Sequence, residues 1–145
     1  MSYTLGINEP NFFVKENKMS LSKNQMIVSW ILQIIVIAMM IYAAVPKLMG
    51  AEESVAMFNA LPGQDMLRYL TGALEIIGAV LLIIPGTVVY GALLVILVMI
   101  GAFGSHVMYL GFEGDAGMFA GMAIGLLIIS AVIVYMRRKS LPFLS

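Results

Sequence analysis

The chain has 145 residues, 61% of them hydrophobic and only 11% charged, with a formal net charge of zero. A water-soluble domain cannot hide that much apolar surface, so the composition is that of an integral membrane protein, and the neutral charge gives no case for a nucleic-acid partner. With no cysteine and one histidine, disulfides, thiol redox chemistry and iron–sulfur ligation are excluded for this chain alone, and no metal or haem is expected.

In chain order, residues 1–25 form a polar N-terminal extension, expected to be loosely ordered, in which Met19 is an alternative start. A crossing helix needs about 20 apolar residues. The first candidate span is Met26–Val45, closed by Pro46. Its apolar run is longer than a signal-peptide core and follows a polar stretch, so it reads as an uncleaved helix. The longest connection follows, over Lys47–Asp65. Its Ala51–Ala60 part predicts a short amphipathic helix ended by Leu61-Pro62-Gly63. The second span runs from Met66 to Ile84, closed by Pro85-Gly86. The third runs from Val88 to Leu110, and the fourth from Gly117 to Met136. The short connections Pro85–Thr87 and Gly111–Ala116 make spans two, three and four antiparallel neighbours. The fold class expected is an all-α, four-transmembrane-helix antiparallel bundle over residues 26–136, followed by a basic tail, 137–145.

Orientation follows from the basic residues. Lys15, Lys18, Lys23, Arg137, Arg138 and Lys139 flank one side, and Lys47 and Arg68 alone flank the other. The positive-inside rule then predicts a multi-pass protein of the cell membrane with both termini cytoplasmic.

The second span carries a carboxylate, Glu75. On a wheel of about 100° per residue it shares a face with Thr71, Gly72, Gly78 and Ala79, while Leu74, Ile77, Val80, Leu81 and Ile84 cover much of the rest. Glu75 therefore points into the bundle, on the outer half. An ionised carboxylate there must be paired, hydrated or protonated. Candidate partners are His106, on a face of span three with Met99, Ala102, Phe103 and Tyr109; Lys47, on a face of span one with Ser29, Gln33, Met40 and Ala44 if that helix persists past Pro46; and Arg68, which starts span two.

Two readings of these groups stand side by side. In one they are a structural polar network that fixes helix register. In the other they form a proton-handling or ligand-binding pocket, with Glu75, His106 and Lys47 as its chemistry and Gln33, Arg68, Met99, Phe103 and Tyr109 as its lining. A quinone head group would suit such a pocket, as would other amphipathic molecules. Span four differs. Gly117, Gly121 and Gly125 recur every four residues, a ridge expected to pack inside the monomer, with a homo-oligomer face as the alternative. Arg137-Arg138-Lys139 anchors the topology, and anionic lipid is a further ligand for it.

Lys47-Leu48-Met49-Gly50, Gly72-Ala73-Leu74-Glu75-Ile76-Ile77-Gly78-Ala79 and Gly101-Ala102-Phe103-Gly104-Ser105-His106, in that order and spacing, resemble the DoxX family, over roughly Met26–Met136. The resemblance implies a four-helix membrane bundle in which Lys47, Glu75 and His106 match the recurring Lys, Glu and His. It also implies a link to membrane redox chemistry, since relatives include a subunit of thiosulfate:quinone oxidoreductase, and a more distant one to a chaperone of neurotransmitter receptors. With no flavin motif or haem ligand pair, the chain is at most an oxidoreductase subunit or accessory protein that binds a quinone-like lipid and works with a membrane oxidoreductase. The alternative is a non-catalytic, chaperone-like assembly factor for another membrane protein. A transporter ranks third, because four spans are few.

Overall fold

The computed structural model describes residues 21–141. The expectations for Met1–Ser20, including Met19 as a start, lie outside the described residues. Helix α1 (Lys23–Met49) begins at a reciprocal cap. The Ser22 hydroxyl accepts from the Gln25 N–H at 3.3 Å, and the Gln25 side chain accepts from the Ser22 N–H at 3.1 Å. Helix α1 does not stop at Pro46, where the sequence predicts closure; it runs on to Gly50 in the left-handed region (φ 70°). Proline removes one hydrogen bond of the helix, but the last turn is held by the Pro46 carbonyl, which accepts from the N–H groups of Gly50 and Ala51. That extra turn keeps Lys47 on the buried stripe of Ser29, Gln33, Val36, Met40 and Ala44.

A short helix, α2 (Glu52–Asn59), follows as expected, with Phe58 and Leu61 buried beneath the connection. Helix α3 (Gln64–Ile83) starts from Gly63 and ends at a 3-10 turn over Pro85–Thr87, where the Thr87 hydroxyl donates to the Leu81 carbonyl at 2.8 Å. Helix α4 (Val88–Ser105) widens into a π-helical turn over His106–Leu110, and α5 (Asp115–Arg137) returns to a 3-10 turn at Arg138–Ser140. No strand occurs among the described residues.

The four long helices pack as a closed ring, α1 on α3, α3 on α4, α4 on α5 and α5 on α1. All four are long and apolar enough to cross a membrane. Val36, Met40, Leu82, Val95, Leu126 and Ile133 fill the centre. The outer faces are equally apolar, with Ile34, Leu97 and Ile128 exposed. This is the surface of a bundle whose solvent is hydrocarbon.

Glycine sets how closely the helices approach. A Cβ on Gly91 would lie 2.9 Å from the Leu82 backbone nitrogen, and one on Gly78 would lie 3.3 Å from Val95 Cγ2. Helices α3 and α4 therefore touch through these two residues. The ridge expected on α5 behaves differently. Gly121 and Gly125 have nothing within 4 Å of a built Cβ, so they do not pack inside the bundle. The inward face of α5 is instead Ala120, Ala123, Leu126, Ser130, Ile133 and Arg137, one residue out of step with those glycines. Gly117 does fit a close contact, beneath the Phe112 carbonyl of the preceding turn.

Candidate functional site

The buried face of α3 carries Arg68, Gly72, Glu75, Gly78, Ala79 and Leu82: the stripe that the wheel predicts, with Arg68 and Leu82 added and Thr71 only partly buried. Gly72 is the contact with α1. A Cβ there would lie 3.0 Å from the Leu48 side chain and 3.3 Å from the Lys47 Cβ. Because the backbones come so near, the Lys47 stem reaches down α3 and its ammonium pairs with Glu75 Oε1. Glu75 is 2% exposed and Lys47 18%. In such surroundings an isolated carboxylate is costly, and an ammonium in contact offsets much of that cost. The second oxygen, Glu75 Oε2, is buried and has no hydrogen-bond partner.

Arg68 completes the local network without touching Glu75 through a hydrogen bond. Its Nη1 donates to the Lys47 carbonyl, one of the carbonyls that the end of α1 leaves unpaired. Its Nε and Nη2 donate to Asp65 Oδ1 at 3.1 and 2.9 Å, and its guanidinium lies 4.2 Å from the centre of the Tyr69 ring. Asp65 is 66% exposed. A chain of contacts thus runs from the surface at Asp65 through Arg68 and Lys47 to the buried Glu75.

His106 is not part of that chain. Its Nδ1 lies 3.3 Å from the Gly111 carbonyl, and the Gly111 N–H donates to the His106 carbonyl at 2.8 Å. A carbonyl can only accept, so Nδ1 carries the proton and the histidine closes its own π-helical turn. The contacts of Gly78 with Val95 and of Gly91 with Leu82 set Val98 level with Glu75. His106 lies eight residues further along α4, roughly 12 Å at the usual helical rise. No hydrogen bond joins the two, and the compatible depth expected from sequence is displaced by about two turns.

The remaining predicted residues divide in the same way. Met99 is buried and Phe103 packs against the core at its edge, its ring 6.0 Å from that of Phe112. Tyr109 is 51% exposed, because the π turn rotates it out of the face it would share with His106 on a regular helix. Gln33 is buried but lies fourteen residues from Lys47 on α1, roughly 21 Å away. It donates to the Ser29 hydroxyl at 2.8 Å and the Ser29 carbonyl at 3.0 Å, in a separate network near the other end of the bundle.

The model of the DoxX-like family matches residues 31–112. The chain belongs to the DoxX-like family. The matched segment holds the whole Asp65–Arg68–Lys47–Glu75 chain, the glycines that bring α1 and α3 together, and His106 with its turn. It stops before α5, short of the Met136 limit that the residues suggest, so that helix completes the DoxX-like bundle from outside the match. Comparisons with curated proteins and with solved structures return no match.

Some participants are absent from the sequence reading. Asp65 stands three residues before Arg68, a spacing at which opposite charges meet on a helix, and that signal was available. The bond from Arg137 Nε to the Ser29 hydroxyl, at 2.9 Å, joins positions 108 apart, and no local pattern points to it.

Proposed function

We propose that this DoxX-like membrane protein is an accessory subunit of a quinone-linked membrane redox system, and that Lys47 and Glu75 receive the quinone head group. The observation that carries the reading is the buried, unpartnered Glu75 Oε2 beside the Lys47 ammonium. A quinone carbonyl needs a donor, which Lys47 supplies; a quinol hydroxyl needs an acceptor, which Glu75 Oε2 supplies. The quinone, when bound, supplies two-electron redox chemistry. Glu75 holds a proton or releases it, and Lys47 keeps the charged form tolerable in hydrocarbon. Met99 and Phe103 give apolar contact on α4. His106 serves the turn. The protein lies in the cell membrane with both termini cytoplasmic, which puts this end of the bundle on the outer side.

The test is a thermal shift on the detergent-purified chain with a short-chain quinone. Binding to the folded state alone raises the unfolding midpoint. Wild type should shift, and Glu75→Gln should unfold at its usual temperature with no shift. Equal shifts in both, or none in wild type, would remove the reading.

The outward glycines of α5 favour a second reading, an assembly factor or homo-oligomer that packs a partner's span on Gly121 and Gly125. A stoichiometric membrane-protein partner in place of a quinone would select it.

A further inference from the structure

At the opposite end from Glu75, the start of α1 and the end of α5 border an open cavity of about 320 Å³, lined in part by Gln25, Met26, Tyr135, Arg137, Arg138 and Ser140. We infer that this cavity binds a phosphate group, and that its source is the head group of an anionic lipid. The inference is independent of the quinone reading and uses none of its residues.

Arg137 carries it. The residue is 8% exposed, yet among the described residues its charge meets neutral groups: Nε donates to the Ser29 hydroxyl, and Nη2 lies 3.3 Å from Met26 Sδ. Among the described residues no carboxylate pairs with it. All six described carboxylates, at positions 52, 53, 65, 75, 113 and 115, sit towards the other end of the bundle. A buried guanidinium with no carboxylate among the described residues to pair with lacks its compensation there, and a phosphate presents the oxygens that its planar fork fits.

The surroundings agree. Arg138 is held over the Tyr135 ring at 3.9 Å, which fixes a second cation at the cavity. The first turn of α1 contains no acidic residue, so its capped N-terminal end carries no negative side chain to offset the positive end of its dipole. Met26, with Leu21 and Met136, supplies apolar wall beside the charges, which suits a ligand with a phosphate attached to hydrocarbon better than a free ion. A basic pocket between membrane helices is the usual form of such a site.

The full chain in mild detergent, examined by native mass spectrometry with added phosphatidylglycerol or phosphatidylcholine, tests this. Each engaged basic residue favours the anionic lipid by about fivefold. Wild type should therefore retain phosphatidylglycerol preferentially, by at least that factor. Arg137→Gln should lower that preference about fivefold. Lys23→Gln removes a charge at the same end but outside the cavity, and should keep it. Equal loss in both variants would show unspecific surface attraction and overturn the site.

Methionine oxidation of the wild-type chain covers a variant that fails to fold. Phosphatidylglycerol bilayers should protect Met26 and Met136 at least twofold more than phosphatidylcholine bilayers, and leave Met118 unchanged; equal rates would overturn the site. Inorganic phosphate without lipid distinguishes the source. A thermal shift that depends on Arg137 would assign the phosphate to solution and overturn the lipid source. No shift, with lipid retained, supports the head group.

Discussion

Gly72 of α3 lies directly against Lys47 of α1, so that a Cβ on the glycine would stand 3.3 Å from the Lys47 Cβ. The pairing of Lys47 with Glu75, one turn further along α3, depends on that approach. Gly72→Leu should push α1 away from α3 and destabilise the bundle by about 1–3 kcal/mol, as overpacking generally does. Gly72→Ala should cost much less, since its nearest neighbour is the exposed, movable Leu48 side chain. Thermal unfolding in detergent separates the two. Equal, negligible effects would mean that the helices do not meet there.

The ion pair itself predicts a non-additive pair of substitutions. Lys47→Met leaves the buried Glu75 carboxyl without its cation, a loss of about 3–5 kcal/mol. Lys47→Met combined with Glu75→Leu removes both charges and should recover most of that stability. A double-mutant cycle measures it, and additive losses would contradict a direct contact.

The glycines of α4 and α5 should respond in opposite ways. Gly91→Ala places a methyl group 2.9 Å from α3 backbone and should lower the unfolding midpoint clearly. Gly121→Ala adds a methyl group into open space and should leave the monomer as stable as before. If Gly121→Ala instead disturbs the size of the particle on a gel-filtration column, the outward ridge is an assembly face.

His106→Ala should loosen the turn at Gly111 and cost about 1 kcal/mol, the worth of one hydrogen bond. Faster amide exchange should be confined to the π turn and the segment after it. Quinone binding at Glu75 should persist. Loss of binding with the turn intact would place His106 back beside Glu75.

How much of this is legible in the sequence depends on range. The four spans follow from apolar runs of crossing length, and the inward face of α3 from the spacing of Gly72, Glu75 and Gly78. Lys47 as a partner is legible only on the condition that α1 outlasts Pro46, and the cap at Gly50 meets that condition. The depth of His106 is not legible, because the register between antiparallel helices is set by which glycine seats against which backbone. Gly91 against Leu82 decides it, and nothing in either segment alone says so. The same limit explains Gly121. A four-residue repeat of glycine marks a smooth stripe, but the direction of that stripe depends on which side of α5 the larger residues Leu126 and Ile133 bury. It also explains Gln33, whose place on the same face of α1 as Lys47 says nothing of the turns between them.

The most direct test of the quinone-linked reading is the lipid content of the purified protein. Wild-type chain and Glu75→Gln, extracted from native membranes in mild detergent, are compared by mass spectrometry of their bound lipids. The account predicts close to one quinone per wild-type chain and a large loss from a normally folded Glu75→Gln. Wild type without quinone, or Glu75→Gln with as much as wild type, would contradict it.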